Sequence, residues 1–522
     1  MTADLDTRSG QDYAPIDDVL PVPGGPSELD GFARSRERFD AVTGWLSGEQ
    51  AGALAHAELE QRLELDSREL FRLLLQDHLD LRADREERVE GVVDCEGARR
   101  ASVEAGHERS LQTVFGEVRV RRLAYRARGH CNLYPADGVL NLPREGHSHG
   151  LRRLAAIESA RGSFDDGCEA VRRQTGQQIG KRQLEGLARR GACDFDAFYA
   201  GRQAAPSGHA DALVLSCDGK GVVMRPDALR AATRKQAAKA NGKLKTRLSK
   251  GEKRNRKRIA EVGAVYDATP VPRGATDVLP AGENERREAR PGPQAKGKWL
   301  TASVTDDAAQ VVCEIFEEAE RRDPGHTRPW VALVDGNNHQ IDRIEAEATE
   351  REIDVTILVD LVHVLEYLWK AAWSFHREGD PAAEEWVRRH AQRILAGGAT
   401  KVAGAIRRQA TNGGLDPPQR SGADACATYL TNKAAYLDYP TALRQGWPIA
   451  TGVIEGACRH LVKDRMDLTG ARWGLDGAEA ILKLRAIRSN GDFDEYWRYH
   501  LAQEHQRLHR SRYADNALPH TT

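Results

Sequence analysis

Two short apolar runs in this chain end in the same dipeptide, an aspartate followed by a glycine. They are Val214-Leu-Ser-Cys-Asp218-Gly and Val331-Ala-Leu-Val-Asp335-Gly. Short apolar runs bounded by glycine are typical of buried strands, so each aspartate is predicted at the carboxyl end of a strand. A third acid, Glu455 in Gly452-Val-Ile-Glu-Gly-Ala-Cys, opens a stretch with helical character. These three carboxylates constrain the fold more than any other feature of the sequence.

The apolar runs around the two aspartates predict a mixed α/β core. Strands are predicted over residues 213–218, 261–266, 300–305, 330–335 and 355–360, with a helix over 307–322 between the third and fourth. Three consecutive strands, a helix, a strand, a helix and a strand is the order of a ribonuclease H-like fold. In that order the first and fourth strands lie side by side. The sequence therefore predicts that Asp218 and Asp335 are neighbours.

Three acids converging from separate elements suggest a metal site. Carboxylate oxygens are ligands for Mg²⁺ or Mn²⁺, and a pair of such ions about 3.5–4 Å apart supports phosphoryl transfer. The sequence thus predicts two ions held by Asp218, Asp335 and Glu455. Simpler interpretations exist for each residue. A strand-end aspartate is often a helix cap or a turn residue, and Glu455 has the spacing for an i,i+4 ion pair with Arg459.

Length and composition limit the class of protein. The chain has 522 residues and 57.7 kDa, too many for a single core, and 30% of its residues are charged. We expect a cytoplasmic protein without a membrane partner, because no long apolar stretch and no secretory N-terminus are visible. The formal net charge is −1, so a nucleic-acid partner must be argued from local clusters.

The strongest basic cluster covers residues 230–258, which carry thirteen Lys or Arg and a single acid, Glu252. It follows Asp218 closely, which favours contact with a DNA backbone over a solvated loop, the alternative interpretation. The predicted contacts at its end are Lys253, Arg254, Arg256, Lys257 and Arg258.

The eight cysteines show no recurring pair spacing, which indicates reduced thiols. A zinc site around residues 125–131 is conceivable, but the spacing does not favour zinc.

Residues 163–187 have the form of a helix-turn-helix. One helix would hold Cys168 and Val171, the turn would pass through Gly176, and Gly180 would precede the second helix. The second helix carries basic residues that could contact bases and phosphates in a major groove. They are Lys181, Arg182, Arg189 and Arg190. An ordinary helical hairpin would have a similar pattern.

The remaining patterns divide the chain into regions. We predict a disordered tail over 1–35, a helical domain over 36–95 whose apolar faces are interrupted near Asp66, and a small basic β region over 96–148 with a hairpin turn at Gly116. The helix-turn-helix region covers 149–205. The core follows over 208–368, an all-helical insertion over 369–446, C-terminal core helices over 447–500 and a tail over 501–522.

Two further groups of residues are candidates for the site. Asp360 and His363 form an Asp-x-x-His pair at the start of a helix, where Asp360 could simply be the cap and His363 a partly buried helix residue. Near Glu455, three basic residues could contact phosphates: Arg459, Lys463 and Arg465. Further along, Arg472 and Trp473 fit either DNA contact or simple packing.

Long motifs around these residues resemble a known family. They are Val334-Asp-Gly-Asn-Asn-His-Gln-Ile, Asp360-Leu-Val-His-Val-Leu-Glu-Tyr-Leu-Trp-Lys and Trp447-Pro-Ile-Ala-Thr-Gly-Val-Ile-Glu-Gly-Ala-Cys-Arg-His-Leu-Val-Lys-Asp-Arg-Met, together with Asp218-Gly. In these motifs the chain, over roughly residues 40–500, is similar to bacterial insertion-sequence transposases of the ISKra type, relatives of the Mutator-like group.

The resemblance implies a DDE transposase with a ribonuclease H-like core, a helical insertion and Mg²⁺-dependent cutting and joining of DNA. Its metal-binding triad would be Asp218, Asp335 and Glu455, and Asp360 and His363 occupy the position of the group's Cys- or Asp-x-x-His signature. Its partners would be the element's terminal inverted repeats and target DNA, bound as a homodimer or higher oligomer at the bacterial nucleoid. One departure is that relatives often carry paired cysteines before the helix-turn-helix, where this chain has isolated Cys95 and Cys131.

Two alternatives stay open at the level of sequence. One is a ribonuclease H-like nuclease that cleaves DNA without joining it. The other is a domesticated, non-catalytic DNA-binding protein that uses only the helix-turn-helix region. The complete set of three acids favours an enzyme, because a binding module needs no converging carboxylates.

Overall fold

The computed structural model describes residues 30–203, 211–239, 256–280, 291–450, 452–468 and 470–519. The described chain forms two units. The first contains the residues up to Ser148, residues 175–177 and the residues from His505 onward. The second contains His149–Gln174 and Gln178–Glu504.

The first unit begins with three helices: α1 (Ala33–Leu46), α2 (Glu49–Gly52) and α3 (His56–Asp84). Residues 1–29 of the predicted tail lie outside the described residues. The predicted end of this tail at residue 35 was wrong, because α1 already starts at Ala33. The predicted interruption near Asp66 was also wrong. The Asp66 carboxylate accepts hydrogen bonds from Arg38 and Arg62, so it stabilises a continuous α3 instead of ending a helix.

The predicted β region is confirmed as an antiparallel hairpin of β1 (Ser102–Gln112) and β2 (Glu117–Arg126), followed by α4 (Pro135–Val139). The expectation of a tail over 501–522 was wrong. Helix α21 (Phe493–Leu508) runs into this region, and Tyr513 then pairs with Asp94 in an isolated bridge. Tyr513 is buried in a small core with Val92, Tyr125 and Leu133, which explains why the segment is ordered.

Four helices open the second unit: α5 (His149–Arg161), α6 (Phe164–Thr175), α7 (Lys181–Gly191) and α8 (Phe195–Ala200). Helices α6 and α7 match the predicted helix pair, with Gly180 as the cap of α7. One face of α7 is buried in the core and carries Leu184, Leu187 and Ala188. There α7 packs against α5 and α20 (Leu475–Asn490).

A five-stranded mixed sheet forms the centre of the second unit. Its strands are β3 (Ala212–Val223), β4 (Lys257–Ala268), β5 (Ala295–Ser303), β6 (Trp330–Val334) and β7 (Val355–Val359). The spatial order is β5-β4-β3-β6-β7, with β3 parallel to β6 and antiparallel to β4. The prediction that the first and fourth strands lie side by side is confirmed.

The helices between and after the strands are α9 (Ala231–Lys239), α10 (Ala275–Val278), α11 (Ala308–Arg322), α12 (Asn338–Glu350) and α13 (Leu361–Ala372). A helical segment follows, as predicted, with α14 (Pro381–Leu395), α15 (Ala399–Asn412), α16 (Pro417–Asn432) and α17 (Tyr439–Gln445). We call α14–α17 the insertion. It precedes α18 (Gly452–Ala457), a π-helical turn (Cys458–Lys463), α19 (Asp464–Met466), α20 and α21.

The sheet is buried on both faces, which matches its strands being nearly continuous apolar runs. Helix α11 packs on β3 and β4, and α20 packs on β5. In the described part of the chain, none of the helices combines the length and apolar character that crossing a membrane requires.

Candidate active site

The sheet places Asp218 and Asp335 at matching positions on adjacent parallel strands. Ser216 on β3 pairs with Leu333 on β6, so two positions further along, Asp218 lies beside Asp335. Asp335 is the first residue after β6, so both aspartates lie at the point where the parallel pairing of β3 with β6 ends, on strands about 4.8 Å apart. Both residues are partly exposed. The structure therefore brings together the two aspartates that the sequence singled out.

The structure corrects the position of Asp218 within its strand. Asp218 does not end β3, which continues to Val223 because it keeps pairing with β4. The parallel pairing with β6, in contrast, stops at Ser216. Asp218 thus lies on a rigid strand at the point where the neighbouring strand ends.

A cysteine and a backbone amide hold the Asp218 carboxylate. The Cys458 thiol donates to Oδ2 at 3.2 Å, and the Gly219 amide donates to Oδ1 at 2.6 Å. Burial raises the pKa of the Cys458 thiol, and the Asp218 charge raises it further. The sulfur therefore keeps its proton at neutral pH and acts as a donor.

Glu261 on β4 is a further acid beside Asp218. Burial is the main cause that raises the pKa of Glu261, and the Asp218 charge raises it further. Neither Glu261 nor Cys458 was among the residues predicted for the site. Glu261 has no motif around it in the sequence. Cys458 lies within a visible motif, but the sequence did not indicate its contact with Asp218, which is 240 positions away.

Helix α18 carries Glu455 and packs against β3 and β4. Glu455 is exposed and lies three residues before Cys458, so the two side chains are neighbours along the helix surface. The contact from Cys458 to Asp218 thus anchors the helix that carries Glu455. The predicted alternative partner of Glu455, Arg459, has its Nε 3.9 Å from a carboxylate oxygen of Asp464. The chain from Cys458 is a π-helix, a form frequent at functional sites.

Asp335 follows β6 in a loop that leads into α12. The Asn337 amide donates to Asp335 Oδ1 at 2.7 Å, and the Tyr429 hydroxyl donates to the Asp335 carbonyl at 3.0 Å. Gly336 has φ +91°, in the left-handed region that favours glycine. Asn337 caps α12 by accepting from the His339 amide. The loop is thus fixed from both sides of Asp335.

Asp360 extends the row of aspartates to a third strand. Val334 pairs with Val359, so Asp360 takes the position beside Asp335, and its amide donates to the Val334 carbonyl at 2.8 Å. Its carboxylate caps α13 by accepting from the Val362 amide at 2.7 Å. The capping role is therefore confirmed. His363 is partly exposed one turn further on, with Nδ1 3.7 Å from Glu366, and a catalytic role for the pair stays a prediction.

The basic residues predicted for DNA contact on α7 are all exposed. Two of them make ion pairs: Lys181 with Asp165 and Arg189 with Asp476, each at 2.5 Å. Exposed ion pairs of this kind contribute little to stability and exchange readily for other anions. Arg182 and Arg190 complete the exposed face, and their contact with DNA stays a prediction.

The residues predicted within the basic cluster have different surroundings. Lys253 and Arg254 lie outside the described residues. Lys257 is exposed, Arg256 is partly exposed, and Arg258 donates to the carbonyls of Val304, Ala228 and Thr305. Arg258 thus has a structural role, which the sequence did not indicate.

The basic residues after Glu455 divide into exposed and buried ones. Arg459, Lys463 and Arg472 are exposed. The prediction that Arg465 contacts phosphates was wrong, because its buried guanidinium packs against the rings of Phe164 and Trp473, and burial lowers its pKa to about 10. Trp473 is buried as well, so it packs in the core.

Close groups of potential metal ligands lie elsewhere in the described chain. Two groups of three side chains have ligand atoms within 4.8 Å of one another: Cys193, Asp194 and His500, and Asp94, Glu96 and His130. An arginine already contacts each group: Arg152 at His500 and Arg100 at Asp94. A guanidinium at this distance disfavours a divalent cation.

Among the described residues, Asp218, Asp335 and Glu455 do not converge within that distance. Two ions about 3.5–4 Å apart need more widely spread oxygens, since each ion takes its own ligands. The partly exposed carboxylates of Asp218 and Asp335, at the point where the pairing of β3 with β6 ends, fit hard divalent cations by their donor type.

Comparisons with known proteins do not assign the site. No protein-family model matches the chain, and a search of curated proteins returns no match. Because one fold can host many functions, the chemistry of the carboxylates has to carry the functional conclusion.

Proposed function

We propose that this protein is a DDE transposase with a ribonuclease H-like core, which cuts and joins DNA with the help of two Mg²⁺ ions. The observation that carries the proposal is that Asp218 and Asp335 both lie where the parallel strands β3 and β6 stop pairing, with a helix bearing Glu455 anchored at Asp218 through Cys458. The sheet order β5-β4-β3-β6-β7 and the insertion before α18 support the same assignment.

The ions would be held by Asp218, Asp335 and Glu455, and when bound they would activate an attacking hydroxyl and neutralise charge on the scissile phosphate. Hydrogen bonds within the chain hold two of these carboxylates in place. Cys458 and the Gly219 amide fix the Asp218 carboxylate, and the Asn337 amide fixes that of Asp335. His363 lies one helical turn from Asp360, where it could move a proton near the site.

DNA contacts would come from exposed basic side chains of the second unit. Those nearest to Glu455 in sequence are Arg459 and Lys463, and a second exposed group lies on α7 with Arg182 and Arg190. Phosphate contacts would fix the position of the duplex, whereas sequence recognition would require base contacts. Assembly as a homodimer or larger complex on DNA belongs to the same proposal.

The test uses DNA from both flanks of the gene as substrate, incubated with the full chain and either Mg²⁺ or EDTA. The proposal expects cleavage and joined products with Mg²⁺ and neither with EDTA. Cleavage without joining would identify the nuclease alternative, and binding without cleavage the non-catalytic one. The absence of both binding and cleavage on every flank would overturn the proposal.

A further inference from the structure

The side chain of Tyr429, on α16 of the insertion, contacts the loop of Asp335. Its hydroxyl donates to the Asp335 carbonyl at 3.0 Å. Its ring lies against Gly336, where an added Cβ would come within 2.7 Å of the Tyr429 hydroxyl oxygen and 3.3 Å of the ring. Tyr429 thus contacts both the residue that would bind metal and the glycine that shapes its loop.

The Tyr429 ring also stacks on Tyr367 of α13. The ring centroids are 3.9 Å apart and the planes differ by only 12°. Tyr367 lies four residues after His363, on the same side of α13, and α13 starts from the Asp360 cap. Tyr429 therefore lies between the Asp335 loop and the helix of Asp360 and His363.

A second contact from the same region supports the loop one turn further along. Lys433, the C-cap residue that follows α16, contacts the Asn338 side-chain oxygen and is 6% exposed. Tyr429 and Lys433 are four residues apart and face the same loop. The insertion thus fixes residues 335–338 at two points.

We propose that Tyr429 is a positioning residue that sets the orientation of Asp335 for metal binding and thereby makes metal affinity depend on the insertion. The inference rests on the proposed function for the role of Asp335. A carboxylate is held for a metal by the groups around it, and loss of such a supporting group typically lowers metal affinity or activity 10- to 100-fold. Without the Tyr429 hydroxyl, the Asp335 carbonyl loses its hydrogen bond to the insertion.

The test compares Tyr429→Phe with Tyr436→Phe. The first removes the hydroxyl at Asp335 and keeps the stacked ring. The control removes a hydroxyl that donates to Glu345 on α12, ten residues beyond Asp335. Mn²⁺ affinity of the DNA-free full chain is measured by electron paramagnetic resonance, with Asp335→Asn to identify the signal of this site.

We expect Tyr429→Phe to weaken Mn²⁺ binding about tenfold and to raise the Mg²⁺ concentration for half-maximal DNA cleavage by a similar factor. Cleavage should recover at high Mg²⁺, and thermal melting should stay near wild type. Tyr436→Phe should bind Mn²⁺ as the wild type does. Recovery by metal separates positioning from a general loss of structure.

A second variant, Tyr367→Leu, keeps the Tyr429 hydroxyl and removes the stacked partner, and we expect a smaller loss of Mn²⁺ affinity. Wild-type Mn²⁺ affinity in Tyr429→Phe would overturn the inference, as would equal losses in Tyr429→Phe and Tyr436→Phe. If the wild type cleaves no DNA but Tyr429→Phe still weakens Mn²⁺ binding, the proposed function fails and the positioning role stands.

Discussion

The two Asp-Gly dipeptides of the proposed site, at residues 218 and 335, are identical in sequence but differ in structure. Asp218-Gly219 lies inside β3, with continuous pairing to β4 along its length. Asp335-Gly336 lies beyond the end of β6, in a loop with φ +91° at the glycine. The first aspartate is placed by a sheet, and the second by a loop that the insertion supports.

The glycines show why this difference matters. At Gly219 an added Cβ would meet the Ile259 side chain at 2.7 Å, so glycine there allows a close approach of side chains. At Gly336 the backbone itself requires glycine, and the Tyr429 ring adds to that requirement. One half of the site is therefore built into the sheet, whereas the other depends on a distant segment of the chain.

The largest effect should come from removing the charge of either half. Asp218→Asn, Asp335→Asn and Glu455→Gln should each slow DNA cleavage about a thousandfold or more, since each removes a ligand from a site where metal supplies several kcal/mol of stabilisation. DNA binding should be largely unchanged. Single-turnover cleavage measures the effect, with Glu384→Gln, an exposed insertion glutamate, as the control. Near wild-type cleavage in any triad variant would exclude that residue.

The next effect concerns the residues next to the Asp335 half. Asp360→Asn should keep the cap, because asparagine caps about as well as aspartate, yet cleavage should slow tenfold or more if the carboxylate acts at the site. His363→Gln should slow cleavage to a similar extent with normal melting. Rates and melting temperatures are measured together, and normal values of both would reduce the pair to a structural role.

The glycines allow a direct test of the comparison. Gly336→Ala should lower the free energy of unfolding by about 1–3 kcal/mol, because alanine is strained at this φ and its Cβ would contact Tyr429. Gly219→Ala should cost less than about 1 kcal/mol, since the exposed Ile259 side chain can shift. Urea unfolding of both variants gives the two values. Equal costs would contradict the distinction between strand and loop.

The smallest effect should come from the thiol that holds the Asp218 half. Cys458→Ala removes one hydrogen bond, worth about 1 kcal/mol, and should slow cleavage about fivefold. Cys458→Ser keeps a donor and should stay close to wild type. Cys426→Ala, which removes an equally buried thiol in α16, is the control. Full activity of Cys458→Ala would show that sheet pairing alone orients Asp218.

The sequence predicted the sheet well because its strands are apolar runs that end in clear breaks. It could not predict that β3 continues past Asp218, since Gly219-Lys-Gly221 is polar and is held in the strand by pairing with β4. The contacts of Cys458 with Asp218 and of Tyr429 with Asp335 could not be predicted from the sequence either. They join segments far apart in the chain, and neither side chain differs in its local pattern from an ordinary helix residue.

The burial of Tyr513 has a consequence for biosynthesis. Its ring completes a core with Val92, Tyr125 and Leu133, residues that leave the ribosome at least 380 positions earlier. The core of the first unit therefore stays incomplete until the chain has been synthesised through Tyr513. A product shortened by premature termination just before Tyr513 would keep every carboxylate of the proposed site, yet the quality-control proteases of the cell should remove it through its unfinished first unit.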